Sequence, residues 1–296
     1  MGPPNLKHIA GNTYIIPALV IMGLYVRDNR AVLIDSGNDK EAGRQVLRIL
    51  NEQGWGLELI INTHSNADHI GGNQFLQKRT NCRIAATRLE ASFIQDPVLE
   101  PAFLYGGFPF RDLQNKFLMA KPSTVTDIIP SSGDVLGTGL EAHPIPGHFF
   151  EMIGISTPDG VLFLADCLFP ESIISKYHIF YLYDLRAHFQ TLDTVSAMHA
   201  DWYIPSHAEP TRDINRLLDI NREKINEILE AVQDCCRALS FDEILAKLCE
   251  RYSIDLNAEQ YVLVGSTLKS YLSYLKDEGR VECLYGQGRL LWKAMI

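Results

Sequence analysis

The chain has 296 residues, a formal charge of −9, 46% hydrophobic side chains and 21% charged ones. That length holds one large domain, or one domain with a small second one, and the composition is that of a globular protein. The acidic balance excludes the whole surface as a nucleic-acid or anionic-membrane binder, leaving only a local basic patch to reverse it.

The opening "MGPPNLKHIAGN" lacks the basic start and apolar stretch of a signal peptide. The run Tyr14 to Val26 is apolar but is broken by Pro17 and Gly23, too short to span a bilayer, and predicts two strands meeting at a turn. "AVLIDSG" predicts a short buried strand ending at Asp35. Val46, Leu47, Ile49 and Leu50 recur at helical spacing, with Gly54 as the stop. "LELIINTH" is the next strand, "GGNQFLQKRT" starts a helix, and "CRIAAT" is another strand. Leu99 to Lys121 is irregular and aromatic, with Phe103, Tyr105, Phe108, Phe110 and Phe117 around Gly106 and Gly107. Such a segment is a wrapped satellite core or a substrate lid. "LEAHPIPGH" reads as strand then loop, and "MIGISTPDGVLFLAD" as two strands joined at Pro158-Asp159-Gly160. "DLRAHFQTLDTVSAMHA" is helical, and "DWYIPSH" is a last strand and loop.

The tail reads differently. Thr211 to Ala238 predicts one long helix, Ser240 to Glu243 a capping box opening a second, and "AEQYVLVGSTLKSYLSYLKDEG" a third. "RVECLY", "GQG" and "RLLWKA" then form a strand, turn and strand. Helices followed by a small hairpin make a winged-helix pattern, so the expected division is 1–236 and 237–296. From Ala238 onward there are seven Lys and Arg against eight Asp and Glu, too few cations for a DNA-binding winged helix. A structural or dimerising appendage is the expectation. The six cysteines contain no C-x-x-C pair and read as reduced packing residues of a cytoplasmic protein, with Cys167 kept open because it follows Asp166.

Four separated pieces carry metal-ligand side chains on loops after apolar strands: His64, Asp68 and His69 in "THSNADHIGG", His148 in "PIPGHFF", Asp166 in "FLADCLF", and His207 in "IPSHAEP". Imidazole and carboxylate together suit zinc, iron or manganese. Each residue alone has an ordinary explanation as a cap, turn or surface residue; their coincidence in this order does not. His8, His143, His188 and His199 keep the ordinary explanation, and His178 stays open.

These pieces resemble the metallo-β-lactamase superfamily, whose hydrolytic members carry H-x-H-x-D-H, a later His, an Asp and a final His. The match runs from Ile9 to about Thr211, and "LIDSG" is similar to the family's Asp-Thr-Gly segment beside the site. The resemblance implies an α/β protein with an αββα sandwich and a two-metal site on one edge. Residue by residue it implies His64 and His148 on metal one, Asp68, His69 and His207 on metal two, and Asp166 bridging. It implies zinc, as one or two ions, with iron or manganese as alternatives. A hydroxide held between the metals would attack a small ester, thioester or lactone, with Asp68 orienting it. Asn66 departs from the motif by standing at the second His, and offers a weak ligand or a water contact. In the glyoxalase II branch a Lys/Tyr pair after the bridging Asp binds an anionic thioester; Lys176 and Tyr177 follow Asp166 here, and Phe108 and Phe110 are further substrate-binding candidates. Three rivals stand beside this reading. One is a nuclease or phosphodiesterase of the same superfamily. Another is a di-iron redox protein, against which the chain lacks both the carboxylate at position 66 and a flavodoxin domain. The last is a descendant with a crippled first metal site and little catalysis.

Overall fold

The computed structural model describes residues 5–295. Its first sheet runs in chain order through β1 (Lys7–Ala10), β2 (Thr13–Ile16), β3 (Met22–Arg27), β4 (Arg30–Ile34), β5 (Gly56–Ile61), β6 (Arg83–Ala86) and β7 (Asp127–Ile128). The first four are antiparallel, and β4 through β7 are parallel. The second sheet has the order β12 (Trp202–Ile204), β11 (Val161–Phe163), β10 (Ile153–Ser156), β9 (Glu141–Pro144), β8 (Gly133–Asp134).

Period-two alternation in the strands decides which face each residue takes. In β4, Val32 and Ile34 turn inward to meet Ala142, Ile153, Ile155 and Phe163 of the second sheet. Ala31 and Leu33 turn outward onto Val46, Ile49 and Leu50 of α1 (Lys40–Gln53). Asp39 caps α1 by accepting from the Glu41 and Ala42 amides at 2.9 and 3.2 Å, and Gly54 closes it in the left-handed conformation. The short α2 (Ala67–Ile70) and then α3 (Asn73–Thr80) follow β5, and α4 (Arg88–Gln95) and α5 (Leu99–Tyr105) follow β6.

On the far side of the second sheet, α6 (Glu171–Tyr177), α7 (Leu185–Ala197) and α8 (Asn215–Cys235) complete an αββα sandwich. A third core joins Leu162 and Leu164 at β11 to Leu192, Ile225 and Leu229. The same core continues into Leu245 and Leu248 of α9 (Phe241–Tyr252) and Leu268, Tyr271 and Leu272 of α10 (Ala258–Asp277). The capping box at Ser240 and Glu243 is formed, and the terminal hairpin is β14 (Val281–Gly286) with β15 (Arg289–Ala294).

Two expected boundaries move. The long helix stops at Cys235, and β13 (Arg237–Ser240) pairs with β15 instead of extending it. The tail therefore carries a three-stranded sheet of order β13-β15-β14. The first residues of the irregular aromatic segment form α5. All six cysteines are free, including the adjacent Cys235 and Cys236. Among the described residues, no helix is long and apolar enough to cross a membrane.

Candidate metal centre

The ligand-bearing loops all leave one edge of the sandwich. After β5, the buried Thr63 donates from its amide and its hydroxyl to Asp35, at 2.8 and 2.7 Å. This ties the start of "HSNADH" to the end of β4. α2 then carries Asp68 and His69. It lies against the Asp35–Asp39 loop, with the Ser36 amide donating to the His69 carbonyl at 2.7 Å and the Gly71 amide to the Gly37 carbonyl at 2.8 Å. A Cβ on Gly71 would lie 2.3 Å from the Asn38 carbonyl carbon, and one on Gly72 2.4 Å from the Ser36 oxygen. Two glycines after the motif are thus a condition of its docking.

The later ligands are held by similar constraints. At Gly147 (φ +122°) a Cβ would meet the His188 backbone at 2.5 Å, and the Gly147 carbonyl accepts from the Tyr183 and Asp184 amides at 2.9 Å each. This fixes the loop that presents His148. Ala165, before Asp166, is left-handed at φ +47°, and Asp35 at φ +58°. Such conformations cost a non-glycine residue of order 1 kcal/mol or more and cluster where geometry serves a site.

The six side chains fall into two groups, His64 with His148 and Asp166, and Asp68 with His69 and His207. Within each group the ligand atoms lie within 4.8 Å of one another. Asp166 joins the two. Its Oδ2 is 3.0 Å from His207 Nε2 and 3.7 Å from His148 Nε2, and its Oδ1 is 3.1 Å from His69 Nε2. His207 Nε2 is also 3.7 Å from Asp68 Oδ2. His64 Nε2 is buried with no hydrogen-bond partner, and His69 Nε2 and Asp166 Oδ1 are buried and face each other at 3.1 Å without the geometry of a hydrogen bond. Buried polar atoms left unpaired are costly, and these converge on one space. Divalent cations held by the two groups would satisfy all three, so the residues fit a two-metal site.

A family model described as the metallo-beta-lactamase superfamily matches residues 19–207. The chain belongs to that superfamily. Over 152 residues it is 31% identical to a hydroxyacylglutathione hydrolase of Rhodopseudomonas palustris strain BisB18, and over 166 residues 27% identical to that of strain HaA2. These alignments cover 49% and 54% of this chain and 49% and 53% of the relatives, so the chain spans about half the length of the curated relatives it matches. Among solved structures, a beta-lactamase domain protein from Burkholderia ambifaria matches with TM-score 0.71 at 17% identity, covering 98% of this chain and 93% of its own. A metallo-beta-lactamase family protein from Thermus thermophilus matches with TM-score 0.72 at 17% identity, covering 96% of this chain and 99% of its own. At those identities the likeness is one of fold, and its coverage reaches into the C-terminal elements.

In this superfamily member the ring orientations are set from behind. Asp35 Oδ2 accepts from His69 Nδ1 at 2.8 Å, which leaves Nε2 as the ligand atom. Thr63 Oγ1 donates to Asp35, so it accepts from His64 Nδ1 at 3.1 Å, and again Nε2 is bare. The Tyr181 carbonyl accepts from His148 Nδ1 at 3.0 Å. Such partners behind the ligands set tautomer and basicity. Burial holds His64 well below the ordinary histidine value and lowers His148. Burial also acts downward on His69 and His207, but the Asp166 carboxylate outweighs it and both are raised. In Asp166 burial acts upward, and His207 and His69 outweigh it, holding the carboxylate ionised. A cation held by these residues would have to displace protons from His69 and His207.

Two buried acids brace the loops, and neither stood out in the sequence. Glu90 on α4 accepts from the Ser65 amide and hydroxyl at 2.9 and 2.6 Å and from the Glu151 amide at 2.8 Å, joining the loops of His64 and His148. Glu100 on α5 accepts from Asn66 Nδ2 at 2.7 Å. A glutamate on a predicted helix or loop is ordinarily solvated, and only its burial here marks it out.

The remaining candidates are not among the two ligand groups. Lys176 stands over the Tyr177 ring at 4.7 Å; both line an open cleft of about 550 Å³ with Phe117, Ser253 and Asn257, and no ligand lines it. Phe108 is 82% exposed, and Phe110 packs edge-on against Tyr105. The root of that segment is anchored, with Phe103 against Phe150 and Tyr183 beside the His148 loop. His178 meets Lys224 Nζ at 3.2 Å, and His143 meets Ser156 Oγ at 2.8 Å, both outside the ligand groups.

Proposed function

We propose that the chain is a metal-dependent hydrolase of a small ester, thioester or lactone, with a thioester first among these. One observation carries the reading: two three-residue ligand groups meet at one carboxylate, with three buried ligand atoms between them that make no hydrogen bond. The curated relatives are named hydroxyacylglutathione hydrolases, which favours the thioester.

Bound to these groups, zinc ions would supply an activated water and electrostatic stabilisation of the oxyanion that forms as the carbonyl is attacked. Asp68 is the ligand open to solvent, with a side chain 35% exposed where the other ligands are at most 12% exposed. Its carboxylate orients the incoming water and takes its proton. His64 and His69 are held rigid by the Thr63–Asp35 network, so the groups are preorganised. We assign Lys176, Tyr177 and the tip at Phe108 and Phe110 to substrate contacts outside the ligand groups. Residues 237–296 we take as a winged-helix-like appendage, structural or dimerising, and the setting as cytoplasmic.

The test is a substrate screen with Asp68→Ala. Wild type loaded with zinc should turn over thioesters or lactones, and Asp68→Ala should lower kcat by roughly a hundredfold or more with an unchanged circular dichroism spectrum. Unchanged turnover in the variant removes the mechanism. Activity confined to phosphodiesters replaces the substrate class.

A further inference from the structure

We propose that Glu100 is a positioning residue for metal one: it fixes the Asn66 amide so that Oδ1 completes the His64–His148–Asp166 group in place of the missing imidazole. The proposal rests on the metal-site reading above.

Group one has three strong ligands among the described residues, and Asn66 stands beside them. Its Oδ1 is 3.1 Å from His148 Nε2. The Tyr181 carbonyl can only accept, so His148 Nδ1 carries a proton, and a ring with its single proton there presents Nε2 as an acceptor. In that tautomer Nε2 and Oδ1 face each other with lone pairs, an arrangement that a cation lying against both would favour. The separation is close to that of two donors sharing one metal at about 2.1 Å each. Asn66 precedes α2 but makes no capping bond with its side chain, the usual use of an asparagine there. Its amide is turned to Glu100 instead.

Glu100 supplies the reason for that turn. Its Oε1 accepts from Asn66 Nδ2 at 2.7 Å, and it is buried at 5% exposure in the first turn of α5. A rotated amide would turn Nδ2, which can only donate, toward the metal. An amide oxygen is a weak, neutral ligand, and holding it in place removes the entropic cost of ordering it on binding. The same helix roots the aromatic segment, so the support of metal one and the candidate lid are one element.

The test is metal titration of the stripped full-length protein with zinc against a competing chelator, for wild type, Glu100→Met, Glu100→Gln, Asn66→Ala and the Asn66→Ala/Glu100→Met pair. Glu100→Met keeps the volume and removes the acceptor; Glu100→Gln keeps an acceptor oxygen. Expected are two ions in wild type, with the first lost more easily. Glu100→Met should weaken that ion by roughly 10–100-fold and leave the second unchanged. Asn66→Ala should do the same, the pair no more than either alone, and Glu100→Gln should keep most of the wild-type affinity. Unchanged affinity in Glu100→Met, equal loss at both ions, or additive losses in the pair each overturn the proposal. So does a single ion in wild type. Should Glu100→Met fail to fold, Asn66→Ala still decides: two ions held as in wild type overturn it. No ion at all in wild type would instead sink the metal-site reading.

Discussion

Asp35 touches neither ligand group's shared space, yet it sets His69 directly and His64 through Thr63. Glu90 has the same kind of role between two loops, and it carries a pH signature. Burial pushes it up to about 7 from an ordinary 4.5. A carboxyl that holds its proton more tightly when folded stabilises the fold fully below about 4.5, and that contribution is lost as pH rises through about 7. At ~1.4 kcal/mol per pH unit the span is at most ~3.5 kcal/mol. His64 and His148, lowered by burial, act in the opposite sense, adding stability as pH rises toward the ordinary histidine value. The difference between wild type and Glu90→Gln therefore isolates Glu90. In urea unfolding of the metal-free protein, wild type should lose roughly 1–3 kcal/mol relative to the variant between about pH 5 and 8. Parallel pH profiles would rule Glu90 out as the source.

At the scale of elements, the aromatic segment has two parts. Its root, α5, is held by Glu100 and by Phe103 in an aromatic wall with Phe150 and Tyr183, whose rings stack at 4.2 Å. Its tip turns at Gly106 (φ +78°) and exposes Phe108. Losing two exposed rings from substrate contacts removes roughly 1–3 kcal/mol of apolar burial. Phe108→Ala/Phe110→Ala should therefore raise KM about tenfold or more, while metal content should stay as in wild type. An unchanged KM across the active substrates would assign the tip to another purpose. The root itself was illegible in the sequence, because Pro101 and the glycines after it read as loop. α2 was hidden for a different reason: four residues are too few to show a period.

At the scale of the molecule, the tail is joined to the site. Ser270 Oγ on α10 donates to the Tyr183 carbonyl at 2.7 Å, and Thr267 Oγ1 accepts from the Leu182 amide at 3.3 Å. That is the segment whose amides and carbonyl hold Gly147 and His148. The core of α8 also continues without a break into α9 and α10. Ending the chain at Cys236 would bare Ile225, Ile228 and Leu229, so the truncated protein should aggregate or lose metal one, read by size-exclusion chromatography and metal analysis. A monodisperse fragment with both ions would show the tail to be dispensable to the site.

What the sequence determined by itself was local. Alternating apolar runs named the strands, helical spacing and caps named α1, α9 and α10, and four loop motifs in order named the candidate ligands, because strand ends carry them within a few residues of a recognisable pattern. The strand at Arg237–Ser240 was not legible, since its partner β15 lies far along the chain and nothing nearby competes with the helical pattern before it. The roles of Glu90 and Glu100 were not legible either. A carboxylate becomes a brace only when packing takes it out of water and brings it to an amide from another loop, and that pairing spans 25 positions from Ser65 to Glu90 and 34 from Asn66 to Glu100. Whether Asn66 is a vacancy or a ligand was likewise undecidable from the motif. Tertiary structure decides which way its amide points through two distances, 2.7 Å to Glu100 and 3.1 Å to His148, because the direction of an amide depends on what stands on each side of it.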